Sequence, residues 1–377
     1  MSEVVVAVIL TALVFDFTNG FHDTANAMAT SIATGALRPR AAVLLAGVLN
    51  LIGAFLSVQV ALTISSGLVD EALITPEVIF GGLVGAILWN LLTWLLGLPA
   101  SSSHALFGGL IGATWVYAGS GAINLPVVVG KVLLPLVVSP IVAGLVAAAA
   151  TALAYRLAAR SDRRTVVRGY RAAQVVSASM VALAHGTNDA QKTMGVITLT
   201  LVTVGLLPAH AAPPLWVIVS AALAIAAGTA MGGWRIIRTL GRRISDIESP
   251  QGFAAEASST AVILSSAHLG FALSTTQVTT GAVLGAAVGR PRATVRWPVA
   301  GRMAVAWLVT LPAAATVGGL AAWATATGTA GTLLVGAALI ILSGVIYGLS
   351  RRRPVTAATV NELPPQQPVA VAPRLAA

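Results

Sequence analysis

Apolar stretches of roughly 20 residues, each long enough to cross about 30 Å of hydrocarbon as a helix, recur from one end of this chain to the other. Charge is confined to short blocks between them. With 57% hydrophobic and 9% charged residues, against roughly 25% charged in soluble domains, the chain reads as an all-α polytopic membrane protein. Its backbone polar groups must then be satisfied inside helices. The first run, MSEVVVAVILTALVFDF, lacks a basic leader and passes directly into polar sequence, so it is expected to stay in the mature chain. The chain has no cysteine, which excludes a disulfide framework, a thiolate nucleophile and a Cys-based metal site. The formal charge of +10 does not point to nucleic acid, because the basic residues sit between apolar runs, as topology signals do.

Placing every arginine on one side gives a self-consistent topology, with the N-terminus outside and the C-terminus in the cytoplasm. It has eleven crossings, near residues 4–37, 41–62, 78–97, 99–118, 126–155, 172–207, 215–234, 254–272, 274–289, 303–325 and 332–349. The arginine blocks are Arg38 and Arg40, Arg156 to Arg171, Arg235 to Arg243, Arg290 to Arg302 (Arg292 included), Arg351 to Arg353, and Arg374. The expected organisation is a first repeat over residues 1–155, an Arg-rich cytoplasmic linker over 156–171, and a second repeat of opposite orientation over 172–326. An extra helix over 327–350 and a disordered, proline-rich tail over 351–377 follow. The fold class is thus about 10–12 transmembrane helices in two inverted repeats, with broken helices and two re-entrant or hairpin segments.

The repeats are legible in two polar interruptions. GFHDTANAM, from Gly20 to Met28, recurs as GTNDAQKTM, from Gly186 to Met194, 166 positions on. GLPASSSHALFGGLIGA, from Gly97, recurs as GFALSTTQVTTGAVLGA, from Gly270, 173 positions on. Of the twelve acids, only Asp16, Asp23, Asp189 and Glu256 fall inside expected spans, where an ionised side chain costs about 2.5–3.5 kcal/mol. Asp23 and Asp189 are duplicates of one position; Asp16 and Glu256 have no duplicate. Both acid-bearing segments are expected to interrupt their helices, exposing N–H groups that suit anions and carbonyls that suit cations. The hydroxyl triplets Ser101, Ser102, Ser103 and Ser274, Thr275, Thr276 suit a tetrahedral oxyanion, each hydroxyl donating one hydrogen bond. His22, His104 and His185 flank these segments and could relay protons, while His210 and His268 look peripheral. No HExxH spacing supports a catalytic zinc.

The combination NGFHDTANA, WNLLTWLLGLPASSSH, HGTNDAQK and ALSTTQ resembles the inorganic phosphate transporter (Pit) family, above all its bacterial low-affinity branch, over nearly the whole chain. The resemblance implies an inverted-repeat symporter, not an enzyme, in the bacterial cytoplasmic membrane. It would import inorganic phosphate by alternating access with a coupling cation. In that branch the cation is usually H+, with Na+ as the alternative, and phosphate often travels as a neutral complex with Mg2+ or another divalent metal; no resident cofactor or fixed structural metal is expected. The resemblance carries over Asp23, Asn26, Asn188 and Asp189 as signature positions, the hydroxyl hairpins Ser101, Ser102, Ser103 with His104 and Ser274, Thr275, Thr276, and Glu256. With Lys192 added from its own chemistry, the hydroxyls, Asp23 and Asp189 are the expected phosphate-binding set; with His22 added likewise, Asp23, Asn26, Asn188, Asp189, Glu256 and His104 are the expected coupling set.

Three positions depart from the family pattern. Ala272 stands where a proline is usual, Gln277 where a histidine is usual, and Lys192 where the first repeat has the amide of Asn26. Lys192 is read as a fixed ammonium in the place of a bound cation, which favours proton coupling; the alternative is a plain salt bridge to Asp189. The expected partners are phosphate and the lipid bilayer, with a homodimer through glycine and alanine faces and no nucleic acid. A permease for sulfate or another tetrahedral oxyanion is the competing reading, because hydroxyl donors alone discriminate poorly. A Ser–His hydrolase is disfavoured, since Ser102 or Ser103 next to His104 rarely achieves triad geometry.

Overall fold

The computed structural model describes residues 2–291 and 295–362; Arg292, Arg374 and the tail from residue 363 onward lie outside the described residues. Helices account for nearly all of it, and among the described residues the only β pairing consists of isolated bridges. The order is α1 (Glu3–Ala33), α2 (Pro39–Gly53), α3 (Gln59–Gly67), α4 (Pro76–Leu96), α5 (Ser102–Ala118) and α6 (Leu125–Ala158). The same succession of long, medium, short, long, short and long helices then recurs as α7 (Arg163–Thr203), α8 (Leu215–Met231), α9 (Trp234–Arg243), α10 (Ser249–His268), α11 (Thr275–Val288) and α12 (Trp297–Thr325), with α13 (Thr329–Arg352) appended.

The two halves are interlocked rather than juxtaposed. α1 packs on α8 and α7 on α2, while α5 packs on α12 and α11 on α6, so each pairing crosses from one half to the other. Between membrane helices there is no water to expel, and close approach of small residues supplies the attraction. A Cβ on Gly20 would run into the α8 backbone at Ile225 and Thr229, and a Cβ on Gly186 into the α2 backbone at Asn50. The Thr24 hydroxyl seals the first contact, donating to the carbonyls of Gly20 at 2.8 Å and Thr229 at 3.1 Å.

Two helical hairpins carry the hydroxyl triplets. α4 ends at Gly97 (φ 66°) and α10 is followed by Gly270 (φ 68°), left-handed positions that glycine adopts without strain. Each chain then runs extended for a few residues and starts a new helix at a serine N-cap. The Ser101 side chain accepts the His104 N–H at 3.1 Å, and that of Ser274 accepts the Gln277 N–H at 3.3 Å. α5 doubles back along α4, where Gly82 and Gly109 meet, and α11 packs along α10.

The acid-bearing segments do not break their helices: α1 and α7 are continuous through Asp23 and Asp189. Their polar side chains find partners on other elements, so the backbone has no need to unwind. The interruptions lie elsewhere, at the hairpin tips, between Gly53 and Gln59, and at Gly232–Gly233, where α8 and α9 meet at a 57° bend. By length and composition five of the described helices can cross a membrane, six counting the bent pair. Several of the eleven crossings expected from hydropathy are therefore shorter pieces, such as the 14-residue α11, about 21 Å long.

Large apolar side chains on the outer helices, including Leu157, Leu308 and Ile340, are exposed as a lipid-facing surface requires. The tail up to Glu362 is mostly exposed but anchored at points, with Val360 buried, Asn361 accepting from Arg242, and Arg235 donating to the carbonyls of Ser350 and Arg353 at 2.7 Å.

The interlock predicts that Gly20→Ala and Gly186→Ala each lose about 1–3 kcal/mol through overpacking, lowering the melting temperature of the detergent-solubilised protein. Gly344→Ala, with open space around it, should leave melting unchanged.

Candidate substrate site

The α1–α7 crossing brings Asp23 and Asp189 together in the interior, 1% and 0% exposed. His185 bridges them, its Nε2 lying 3.1 Å from Asp189 Oδ2 and 3.9 Å from Asp23 Oδ2. Its other ring nitrogen, Nδ1, faces Asn50 Oδ1 at 3.2 Å. Asn50 is oriented in turn by donating to Thr229 at 2.7 Å. Nδ1 thus lies by an amide oxygen, and Nε2 lies near both carboxylates without hydrogen-bond geometry to either.

The hairpin tips close over these acids in a pattern that repeats in the two halves. Ser102 donates to Asp23 Oδ2 at 2.7 Å, and its counterpart Thr275 donates to Asp189 Oδ2 at 3.0 Å. Three residues beyond each acid, Asn26 donates to Thr276 at 3.1 Å, and its counterpart Lys192 donates to Ser103 at 2.6 Å. These last two bonds join the halves, as do Thr276 to Asp23 Oδ1 at 3.1 Å and Ser103 to the Leu273 carbonyl at 3.1 Å. Lys192 is fully buried and also pairs directly with Asp189. His22 holds Asp23 Oδ1 at 2.7 Å and Thr93 at 3.2 Å.

The structure thus brings together Asp23, Asp189, Asn26, Lys192, His22, Ser102, Ser103, Thr275 and Thr276. Ser101 and Ser274 are helix caps: each hydroxyl oxygen accepts a backbone N–H, which leaves its O–H to donate. Asn188 and His104 are buried beside the cluster without any hydrogen bond to protein from their side chains. Glu256 is elsewhere. It sits toward the C-terminal end of α1, accepting from Thr30 and Ser31 at 2.6 Å each, from Gln174 at 3.3 Å and from Ser177. Gln174 accepts from Thr34 at 2.7 Å, and Thr34 lines a cavity of about 420 Å³ together with Tyr155, Arg163, Arg171 and Glu248.

Sequence reasoning underrated His185, whose four-residue spacing from Asp189 was the available signal. It missed Asn50, Thr93 and Gln191, which nothing in the motifs marks. The Gln191 side chain accepts the N–H groups of Val60 and Ala61, capping α3 from α7.

Chemically, the site presents donors and acceptors side by side. The N–H groups in the first turns of α5 and α11 have no partner within their helices, and with the hydroxyls they offer an anion a donor-lined seat. Asp23, His185 and Asp189 present ligand atoms within 4.8 Å of one another, close enough to hold a cation. Lys192 already places one positive charge on Asp189.

Fold and site together define a multi-pass helical membrane protein of the transporter class. The phosphate transporter family model matches residues 19–168 and 156–318, and the chain belongs to that family. Over 359 residues it is 58% identical to a probable low-affinity inorganic phosphate transporter of Mycobacterium tuberculosis (strain ATCC 25618 / H37Rv), covering 94% of this chain and 86% of that protein. Over 316 residues it is 42% identical to the similarly described protein of Rhizobium meliloti (strain 1021), covering 84% of this chain and 94% of that one. A solved structure described as the sodium-dependent phosphate transporter shares the fold, with a TM-score of 0.77 at 22% identity over 85% of this chain and 98% of that chain.

Removing one partner of a buried ion pair strands the other charge. Lys192→Met should therefore destabilise the protein by about 3–5 kcal/mol, and adding Asp189→Asn should recover most of it. Melting of the single and double variants in detergent checks both.

Proposed function

We propose that this chain imports inorganic phosphate across the bacterial cytoplasmic membrane as a proton-coupled symporter working by alternating access. The observation that carries this reading is the meeting of two hydroxyl-bearing helix starts, one from each half, over two buried carboxylates. Phosphate would sit between Ser102, Ser103, Thr275 and Thr276, taking hydroxyl and first-turn N–H donors, with Lys192 supplying positive charge. The halves would be inverted repeats, residues 1–155 and 172–326, joined by the 156–171 linker and rocking about this site.

Proton coupling follows from hydroxyl chemistry. A serine or threonine has one O–H hydrogen. When Ser102 or Thr275 turns its hydrogen toward phosphate, Asp23 or Asp189 loses a donor at a depth where a bare carboxylate is costly. A proton, from solvent or from phosphate itself, restores the balance. Lys192 supports the same choice, because its ammonium stands at the counterpart of Asn26, where a sodium ion would otherwise be recruited. A divalent ion such as Mg2+ would travel as part of the cargo, on the triad of Asp23, His185 and Asp189. Sodium coupling is the second reading, favoured by the description of the structural neighbour. Sulfate import is a weaker third, since fully ionised sulfate has no proton to offer either acid.

Uptake of labelled phosphate into reconstituted vesicles, with imposed pH or sodium gradients and with or without Mg2+, tests this. A pH gradient should drive accumulation, and a strict sodium requirement with no pH response would overturn proton coupling. Asp23→Asn and Asp189→Asn should each cut uptake roughly 10- to 100-fold, because hydrogen bonds to charged groups contribute about 1.5–3 kcal/mol. Sulfate at equal concentration should leave phosphate uptake intact; displacement would refute the acceptor role of the acids.

A further inference from the structure

Helix α1 carries a single polar line along its length. Asp16, Asn19, Asp23, Asn26 and Thr30 step by three and four residues, the spacing that keeps side chains on one helix face, and all five are buried. The part nearer the C-terminal end of α1 is engaged, with Asp23 and Asn26 in the substrate site and Thr30 on Glu256. The part nearer the N-terminal end is not. At 0% exposure, neither carboxylate oxygen of Asp16 and neither amide atom of Asn19 makes a hydrogen bond of good geometry among the described residues.

The surroundings of Asp16 repeat the pattern. Thr193 on α7 is fully buried beside Asp16, and its hydroxyl is a donor within reach of the carboxyl although it is not aligned with it in this arrangement. The charged groups acting on Asp16 come from α7: His185, Asp189 and Lys192. All three are committed to one another. α8 has no titratable side chain, and the one on α4, Glu77, is in its first turn. The position equivalent to Asp16 in the second half is Ala182, so this acid is not part of the duplicated site.

Polar groups without protein partners at membrane depth are tolerated where they line a passage for water. A carboxyl group there, with one poorly aligned hydroxyl and no cation of its own, is far less costly protonated than ionised. The other acids inside the spans differ: Glu256 has four donors, Asp23 is held by His22, Ser102 and Thr276, and Asp189 by Lys192 and Thr275.

We propose that Asp16 is a proton-binding site separate from the phosphate pocket, about 10 Å along α1 from Asp23, protonated in this closed arrangement and exchanging its proton with the solution at the N-terminal end of α1 during transport. Asn19, one turn from each acid, is the positioning residue between them. The inference rests on the phosphate–proton reading above and adds to it the group that loads the proton.

Infrared spectroscopy on the full chain carrying carboxyl-labelled aspartate should show an isotope-shifted band of a protonated aspartate at neutral pH, absent from Asp16→Asn. Absence of that band from the parental protein, or its persistence in the variant, overturns the proposal. In vesicles, Asp16→Asn should lose the stimulation by a pH gradient, its accumulation falling to the equal-pH level, while phosphate–phosphate exchange stays within about twofold of parental. An unchanged gradient response overturns the proposal, as does a loss confined to sodium-driven uptake. If Asp16→Asn does not fold, the labelled band in the parental protein decides alone. Failure of the parental protein to take up phosphate would refute the transport reading and leave the infrared result standing for Asp16.

Discussion

A carboxylate in the middle of a membrane protein must be given donors, and this requirement at Asp23 and Asp189 organises the molecule. Neither acid can reach water in the closed arrangement. Donors must come from other helices, at positions where the backbone does not already consume them. Helix starts meet that condition, because a serine or threonine just past the cap has a free hydroxyl and a free N–H. The hairpins exist to deliver such starts. Gly97 and Gly270 reverse the chain, Ser101 and Ser274 cap the new helix, and the next two hydroxyls fall onto the acids and the residues three beyond them.

The interlock of the halves determines what can hold those starts in place. Each hairpin helix rests on the last helix of the other half, α5 on α12 and α11 on α6, while α1, α2, α7 and α8 form a core of their own. The hairpins join that core through α4 on α1 and α10 on α7. These joints are polar and unlike: His22 to Thr93 in the first, and Glu256 with Thr30, Ser31, Gln174 and Ser177 around it in the second. Hydrogen bonds between side chains can exchange partners with little change in packing, whereas the glycine contacts of α1 on α8 and α7 on α2 tolerate no slippage. The joints most readily remade are therefore those between hairpins and core.

Much of this was legible in the sequence because the duplication fixes register. Equivalence of Asp23 with Asp189 and of Ser102 with Thr275 predicts paired roles, and the hydrogen bonds are paired. Helix continuity was not legible. Polar residues inside an apolar run are satisfied either by unwinding the backbone or by side chains from another element, and hydropathy cannot distinguish the two. Through Gly20–Met28 and Gly186–Met194 the second solution holds. The first hydroxyl of each triplet has an added role the motif does not announce, accepting a backbone N–H as a cap. Glu256 shares membrane depth and acidity with Asp23, yet which residues surround it depends on how α10 meets α1 and α7, a tertiary fact without a local signature.

The departure from symmetry at Lys192 bears on what can move through the site. In the second half the cation that balances Asp189 is covalently part of the chain and cannot leave with a substrate. In the first half Asn26 is neutral, and Asp23 is balanced by His22, by the more distant His185 and by hydroxyls that have only one hydrogen each. If an anion takes those hydroxyls, Asp23 is the acid whose balance changes most, while Asp189 keeps Lys192 throughout. One duplicated site is thus divided into a half that is permanently neutralised and a half whose charge depends on what is bound. On the proposed reading, that inequality lets one half hold its charge fixed while the other takes up a cation together with the anion.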